Sequence, residues 1–168
     1  MAMIRRRMAL AVLALWLASP ARPRADEATR RFIEAAYSSA VFQAQISRIA
    51  AAKDTRPGIK ALAERVRDFR ASQLPELARL AGSVGVGVRD TLDLELSSIV
   101  ENIEPLDYLA LSRRYAEVEV QALRHEITAY EDAARSEAQP VREYAASTLE
   151  RLRDLNNTAQ AERAAVGP

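Results

Sequence analysis

Few residues of this 168-residue chain are of a type that carries chemistry. The absence of cysteine excludes disulfides, iron–sulfur clusters, covalently attached haem and thiol nucleophiles. Helical periodicity places the one histidine, His125, on the face opposite to the apolar Leu123 and Ile127, so we interpret it as a solvated surface residue. The alternative is that His125 is a surface ligand or a pH-sensitive contact.

The sequence lacks the ligand pattern of a di-iron bundle. Such a centre takes a glutamate from each of two helices and a Glu-x-x-His pair from each of the other two. The residue three before His125 is Ala122, so this pair does not occur. The serine pairs at 38–39 and 97–98 have no histidine near them, and the glycines at 85 and 87 lack the context of a phosphate loop. We assign the acidic residues to solvated helix faces beside arginines, and predict no catalytic residue, metal or cofactor.

Two arginines interrupt apolar stripes and are possible buried polar residues. Arg70 follows Phe69 in the second long helical stretch, and Arg113 lies within the apolar stripe of the third. A buried arginine is costly without a partner, so each either extends to solvent or meets a carboxylate. The alternative is a polar pocket that binds an anion or a carboxylate of a partner.

The elements that would position these residues are helices. Apolar residues recur at alternating steps of three and four over residues 28–53, 57–82, 106–134 and 140–159, with a short amphipathic helix expected at 92–103. Pro57 and Pro105 suit the first turns of the second and third long helices. The predicted fold is all-α: an antiparallel four-helix bundle, ferritin-like, with the short helix in the long connection between the second and third long helices.

The N-terminus has the layout of a secretory signal peptide. Arg5–Arg7 form a basic region, Met8–Ala18 is an uncharged apolar run, and small residues follow. The run is about half the length that a membrane span needs. We therefore expect residues 1–25 to be a signal peptide cleaved after Ala21 or Ala25, and residues 26–168 to form one periplasmic or secreted domain with no stable transmembrane span.

The charge balance argues against nucleic-acid binding. Five of the 24 basic residues precede Asp26, whereas all 23 acidic residues lie from Asp26 onward, which leaves the predicted domain at −4. A nucleic-acid binder would need a basic face to neutralise phosphates.

Several segments carry a resemblance to a known family. They are Ala36–Ala50, Lys53–Val66, Tyr115, Tyr130-Glu131, Val141–Ala145 and Thr148-Leu149. The chain resembles, over about residues 31–162, a bacterial ferritin-like family called domain of unknown function forty-one forty-two, whose members are described as exported or outer-membrane proteins. The resemblance implies an inward glutamate in the first helix and an inward histidine in each of the other three. At these positions this chain has Gln43, Arg70, Leu123 and Leu155.

These departures lead to two function classes. Because leucine cannot ligate a metal and arginine repels one, we expect a non-catalytic binding or structural module, not an enzyme, that contacts an unknown protein or envelope partner. The alternative is a degenerate ferritin-like metal or redox-stress protein.

Overall fold

A computed structural model describes residues 25–167, so the predicted signal peptide lies outside the described residues except for Ala25. The described part of the chain consists of helices joined by turns and one longer connection, with no strand between residues 25 and 167. The helices are α1 (Glu27–Lys53), α2 (Pro57–Val84), α3 (Leu94–Ile103), α4 (Tyr108–Ala133) and α5 (Gln139–Val166). The all-α prediction, with four long helices and one short helix, is confirmed.

Local sequence explains where the helices begin and end. The Asp26 carboxylate accepts a hydrogen bond from the Thr29 amide at 2.6 Å, which caps the start of α1. Pro57 begins α2, where its missing N–H costs nothing. Gly85 ends α2 in the left-handed conformation at φ 74°, which glycine adopts without steric penalty.

One boundary differs from the prediction. Pro105 lies in the turn that follows α3, and α4 begins at Tyr108, so the assignment of Pro105 to the first turn of the third long helix is wrong. The reason is that α3 continues through Ile103, which places Pro105 where proline stops a preceding helix.

The four long helices form a ring in which all neighbours are antiparallel. α1 packs on α2 and α4, and α5 packs on the same two helices. Phe32 near the start of α1 meets Tyr130 near the end of α4, and Arg65 near the start of α2 bonds to Asp154 of α5. α2 and α4 therefore run in the same direction on one diagonal, and residues 85–107 cross between them. A single long crossover of this kind is the ferritin-like arrangement.

Small and aliphatic side chains fill most of the bundle interior. The predicted inward residues of the last helix, from Val141 to Ala159 in steps of three and four, are all buried. α3 is different, because only Ile103 of its ten residues is buried while Leu94 is 85% exposed. Within residues 25–167, no helix is both long enough and apolar enough to cross a membrane.

Candidate functional site

The bundle interior contains polar side chains at its centre, a feature that most helical cores avoid. We call this group the central polar cluster; its members are Gln43 of α1, Arg70 and Gln73 of α2, and Glu119 and Glu126 of α4, all at most 4% exposed. Tyr115 and Tyr130, both fully buried, border it on α4. Three helices therefore direct polar groups to one place, and α5 directs mainly apolar ones.

Arg70 and Glu126 form the ionic core of the cluster. One guanidinium nitrogen, Nη1, donates to Glu126 Oε1 at 2.8 Å, and Nη2 donates to Oε2 at 2.6 Å. This two-pronged geometry is the strongest form of an arginine–carboxylate pair. Burial is the largest single influence on the pKa of Arg70 and acts to lower it, but the charge and hydrogen bonds of Glu126, together with the charges of Glu119 and Tyr130, outweigh burial and raise that pKa. Arg70 therefore stays cationic inside the core.

The two glutamines complete the coordination of this pair. Gln43 Oε1 accepts from Arg70 Nη2 at 2.6 Å, while Gln43 Nε2 donates to Glu126 Oε2 at 2.9 Å. Gln73 accepts from Arg70 Nη1 and donates through Nε2 to the Tyr130 hydroxyl at 3.0 Å. Each amide thus uses both its acceptor and its donor, which keeps the buried pair hydrogen-bonded on all sides except the Arg70 Nε.

Glu119 is the exception in the cluster. Its side chain is 0% exposed, and neither carboxylate oxygen has a hydrogen-bond partner. Burial raises the pKa of Glu119 to about 8, although the positive charge of Arg70 acts in the opposite direction and the charge of Glu126 adds to the rise. Tyr115 lies one helical turn before Glu119 on α4, and its hydroxyl is bonded at 3.0 Å to Ser47 of α1.

The four positions at which the family resemblance implies ligands are all in the interior. Gln43, Arg70, Leu123 and Leu155 are each 0% exposed, and Gln43 contacts Arg70 directly. Of the two alternatives for Arg70, the structure has the one in which it meets a carboxylate, since it bonds to Glu126. Arg70 also bonds to the Gln43 amide oxygen.

Arg113 is exposed, so it is not the buried polar residue that we considered possible, and the alternative in which it extends to solvent is the one that the structure has. Its Nε reaches the carbonyl of Val166 at the end of α5, a position from which the charge stays in contact with solvent. His125 is exposed, as predicted.

Sequence reasoning missed Glu119 and Glu126. Both were placed with the other acids on solvated faces, because charged residues are seldom fully buried. The signal was nevertheless present in the spacing. Glu119, Leu123, Glu126 and Tyr130 step by four, three and four, which puts both acids on the same helix face as two core residues.

The cluster does not fit the metal centre of a ferritin-like bundle. Such a centre needs several carboxylates and imidazoles around one point. Here the guanidinium of Arg70, at one of the four family ligand positions, lies in the middle and is bound to Glu126. The other three positions are Gln43, Leu123 and Leu155. Between residues 25 and 167, no three His, Asp or Glu side chains group in a way that could hold a metal ion.

A groove opens on one side of the cluster. It has a volume of about 1120 Å³ and runs between α1, the crossover with α3, and α4. We call it the lateral groove. The residues that line it include Ser38, Leu92, Ile99, Ala122, Glu126 and Tyr130. The Tyr37 hydroxyl donates to Asp90 at 2.5 Å, which ties the crossover to α1 beside the groove and, with burial, raises the pKa of Tyr37 to about 12.

Comparison with known proteins gives a family match. The model of the family described as Domain of unknown function (DUF4142) matches residues 15–161. No curated protein and no solved structure is detectably similar to the chain.

Proposed function

We propose, on the premise that this chain belongs to the DUF4142 family, that it is an exported, non-catalytic binding module of the bacterial envelope. The family itself is one of unknown function, so the proposal is based on the chemistry of the residues. Its three components are export, the lack of a reaction centre in the bundle, and a surface that receives a partner.

The observation on which the proposal depends is the Arg70–Glu126 pair. A metal or redox centre in a bundle requires free anionic and imidazole ligands directed at an open position. In this chain the buried carboxylate with the best placement is already neutralised by a guanidinium that also engages Gln43 and Gln73. Among residues 25–167, Glu119 is then the one buried carboxylate whose oxygens have no hydrogen-bond partner.

The lateral groove is the surface best suited to a partner. Binding sites are concave, mainly apolar and furnished with a few polar groups. The groove combines the apolar Leu92, Ile99 and Ala122 with the hydroxyl of Ser38 and with Arg114. We expect it to hold a segment of a protein or envelope partner.

Export is supported by the basic region, apolar run and small residues that end near Ala25. Intact-mass measurement of the protein from the periplasmic fraction should show the loss of residues 1–21 or 1–25. Leu13→Arg breaks the apolar run, and this variant should stay full-length in the cytoplasm. A full-length wild-type chain in the membrane fraction would contradict export.

Metal analysis tests the non-catalytic assignment. Purified mature protein, supplied with iron, manganese or zinc and then dialysed, should retain none of them in stoichiometric amount. The competing class, a degenerate metal or redox-stress protein, is favoured by the single-crossover bundle topology. Stoichiometric metal that survives dialysis, together with oxygen consumption on addition of ferrous iron, would favour that class.

The groove has its own test. Ala122 is half-buried in the lateral groove, so Ala122→Arg fills the groove without cutting into the core. The matched control is Ala161→Arg, on the exposed face of α5. Proteins that co-purify with the wild type and with Ala161→Arg should be lost with Ala122→Arg. Equal recovery with all three would place the binding surface elsewhere.

A further inference from the structure

The centre of the bundle contains one positive and two negative ionisable groups that could all be charged. Arg70 is matched by Glu126 through two hydrogen bonds at 2.8 and 2.6 Å. Glu119 remains, fully buried and without a hydrogen-bond partner for either oxygen. A buried carboxylate in this state takes up a proton in preference to staying charged, because desolvating the anion costs far more than desolvating the acid.

We infer that the bundle centre is a proton-binding site, in which Glu119 is a neutral carboxylic acid in the folded protein at neutral pH and releases its proton only when the pH is raised. The inference goes beyond the proposed binding function and does not depend on it. It rests on the geometry of the central polar cluster, in which the only guanidinium is already occupied by another carboxylate.

The surroundings of Glu119 offer no second cation. The buried residues of α2 include one ionisable side chain, Arg70, and those of α4 include Glu126, Tyr115 and Tyr130 besides Glu119 itself. α1 buries Tyr37, which is bonded to Asp90 of the crossover, and otherwise presents the neutral Gln43 and Ser47. The buried residues of α3 and α5 include no ionisable group. The burial that raises the pKa of Glu119 to about 8 is thus opposed by Arg70 alone.

Ionisation of Glu119 has a defined structural consequence. The new anion and Glu126 would compete for one guanidinium, whose Nε is the only donor of Arg70 without a partner. Glu126 also lines the lateral groove. A change in the pairing of Arg70 would therefore reach the groove through Glu126, and the bundle would lose stability as the pH rises.

The sign of the pH effect follows from the two pKa values. Unfolded glutamate has a pKa of about 4.3, and the folded value for Glu119 is about 8. Between these values the folded state holds a proton that the unfolded state has lost, so stability falls with increasing pH. The stability that protonated Glu119 contributes to the folded state is fully present below the unfolded pKa and is lost as pH rises through the folded pKa. The unfolding constant should rise by up to about tenfold per pH unit over this window.

The test compares wild type with Glu119→Gln, which is close in shape and does not ionise. Urea unfolding is measured from pH 5 to pH 9, and the matched control is Glu117→Gln, two residues away on the same helix and paired at the surface with Arg114. The ratio of the unfolding constants of wild type and Glu119→Gln should rise by about a thousandfold between pH 5 and pH 9. The ratio of wild type to Glu117→Gln should change by less than about threefold. A ratio for Glu119→Gln that is constant over the range would overturn the inference.

A measurement on the unmodified protein covers the case in which Glu119→Gln does not fold. Carbon-13 NMR of the glutamate carboxyl groups, assigned through the backbone, should give a titration midpoint near pH 8 for Glu119. A midpoint below about 5 for Glu119, close to that of an ordinary glutamate, would overturn the assignment. So would a midpoint near 8 that belongs to Glu126.

Discussion

Replacing Arg70 by methionine tests the ion pair on which the proposed function depends. Methionine keeps the unbranched stem and removes the charge together with the four hydrogen bonds that the guanidinium donates to Glu126, Gln43 and Gln73. The main loss comes from Glu126, which would remain 4% exposed with no positive partner. Removing one member of a buried pair costs about 3–5 kcal/mol, a large share of the ~5–15 kcal/mol that stabilises a typical domain.

The pairwise nature of this loss can be measured separately. If Glu126 is the stranded group, Arg70→Met combined with Glu126→Leu should recover most of the lost stability, because replacing both members of a buried pair by apolar groups is often neutral. Full recovery is not expected. Gln43 would lose two partners, Arg70 and Glu126, and Gln73 would lose Arg70. A group left fully unsatisfied costs about 1–3 kcal/mol, although Gln43 keeps Ser39 and Gln73 keeps Tyr130.

The assay is urea unfolding at pH 7, followed by circular dichroism, on wild type, both single variants and the double variant. Arg65→Met is the matched control, since Arg65 pairs with Asp154 at the surface with 42% of its side chain exposed. It should change the free energy of unfolding by less than about 1 kcal/mol. A loss below about 1 kcal/mol for Arg70→Met would show that the guanidinium reaches solvent and that the pair is not structural.

Three further outcomes follow from the described contacts. Leu123→Ala should lower the free energy of unfolding by about 2–5 kcal/mol, because Leu123 is 0% exposed. The control Leu94→Ala, at an 85% exposed site, should change it by less than about 0.5 kcal/mol. A loss below about 1 kcal/mol for Leu123→Ala would refute the place of Leu123 in the core. Arg70→His should bind no stoichiometric iron, manganese or zinc by elemental analysis, because one imidazole does not make a metal site; tight uptake would show that the ligand positions are misplaced. Ser112→Ala should lower the free energy of unfolding by about 1 kcal/mol, because the Ser112 hydroxyl donates to the buried Asp54 at 2.8 Å and connects α4 to the turn after α1. An unchanged midpoint of thermal or urea unfolding would mean that solvent replaces this hydrogen bond.

The helices were predictable because their apolar spacing is a local property of the chain. In α5 the predicted inward residues are all buried, and Pro57 begins α2 where its backbone chemistry requires. The stripe of α4 was less accurate. The predicted stripe included Arg113, which is exposed, and left out Glu119 and Glu126, which are buried. The face of α4 that points inward is therefore rotated, about the helix axis, toward Glu119 and Glu126. A prediction that places all charged residues at the surface does not detect such a rotation.

The candidate site was only half predictable for a related reason. Arg70 and Gln43 stood out because they replace residues that the family resemblance places inside the bundle. Their partner Glu126 lies 56 residues after Arg70, and no local pattern links the two. Long-range pairing of this kind depends on how α2 and α4 are brought together by the crossover. The lateral groove has the same origin, since its walls come from three separate stretches of the chain.

The direction of the helices also determines how this chain can be joined to others. α1 starts and α5 ends at opposite poles of the bundle. Phe32, near the start of α1, lies beside Tyr130 near the end of α4. Val166, at the end of α5, lies beside Arg113 near the start of α4. With 27 and 28 residues in these helices, the poles are about 40 Å apart at 1.5 Å per residue. A circular permutant that links Gly167 to Asp26 would therefore need at least about 12 extended residues. A protein fused after Gly167 would stand a full bundle length away from anything attached before Asp26, so the domain would act as a rigid spacer between them.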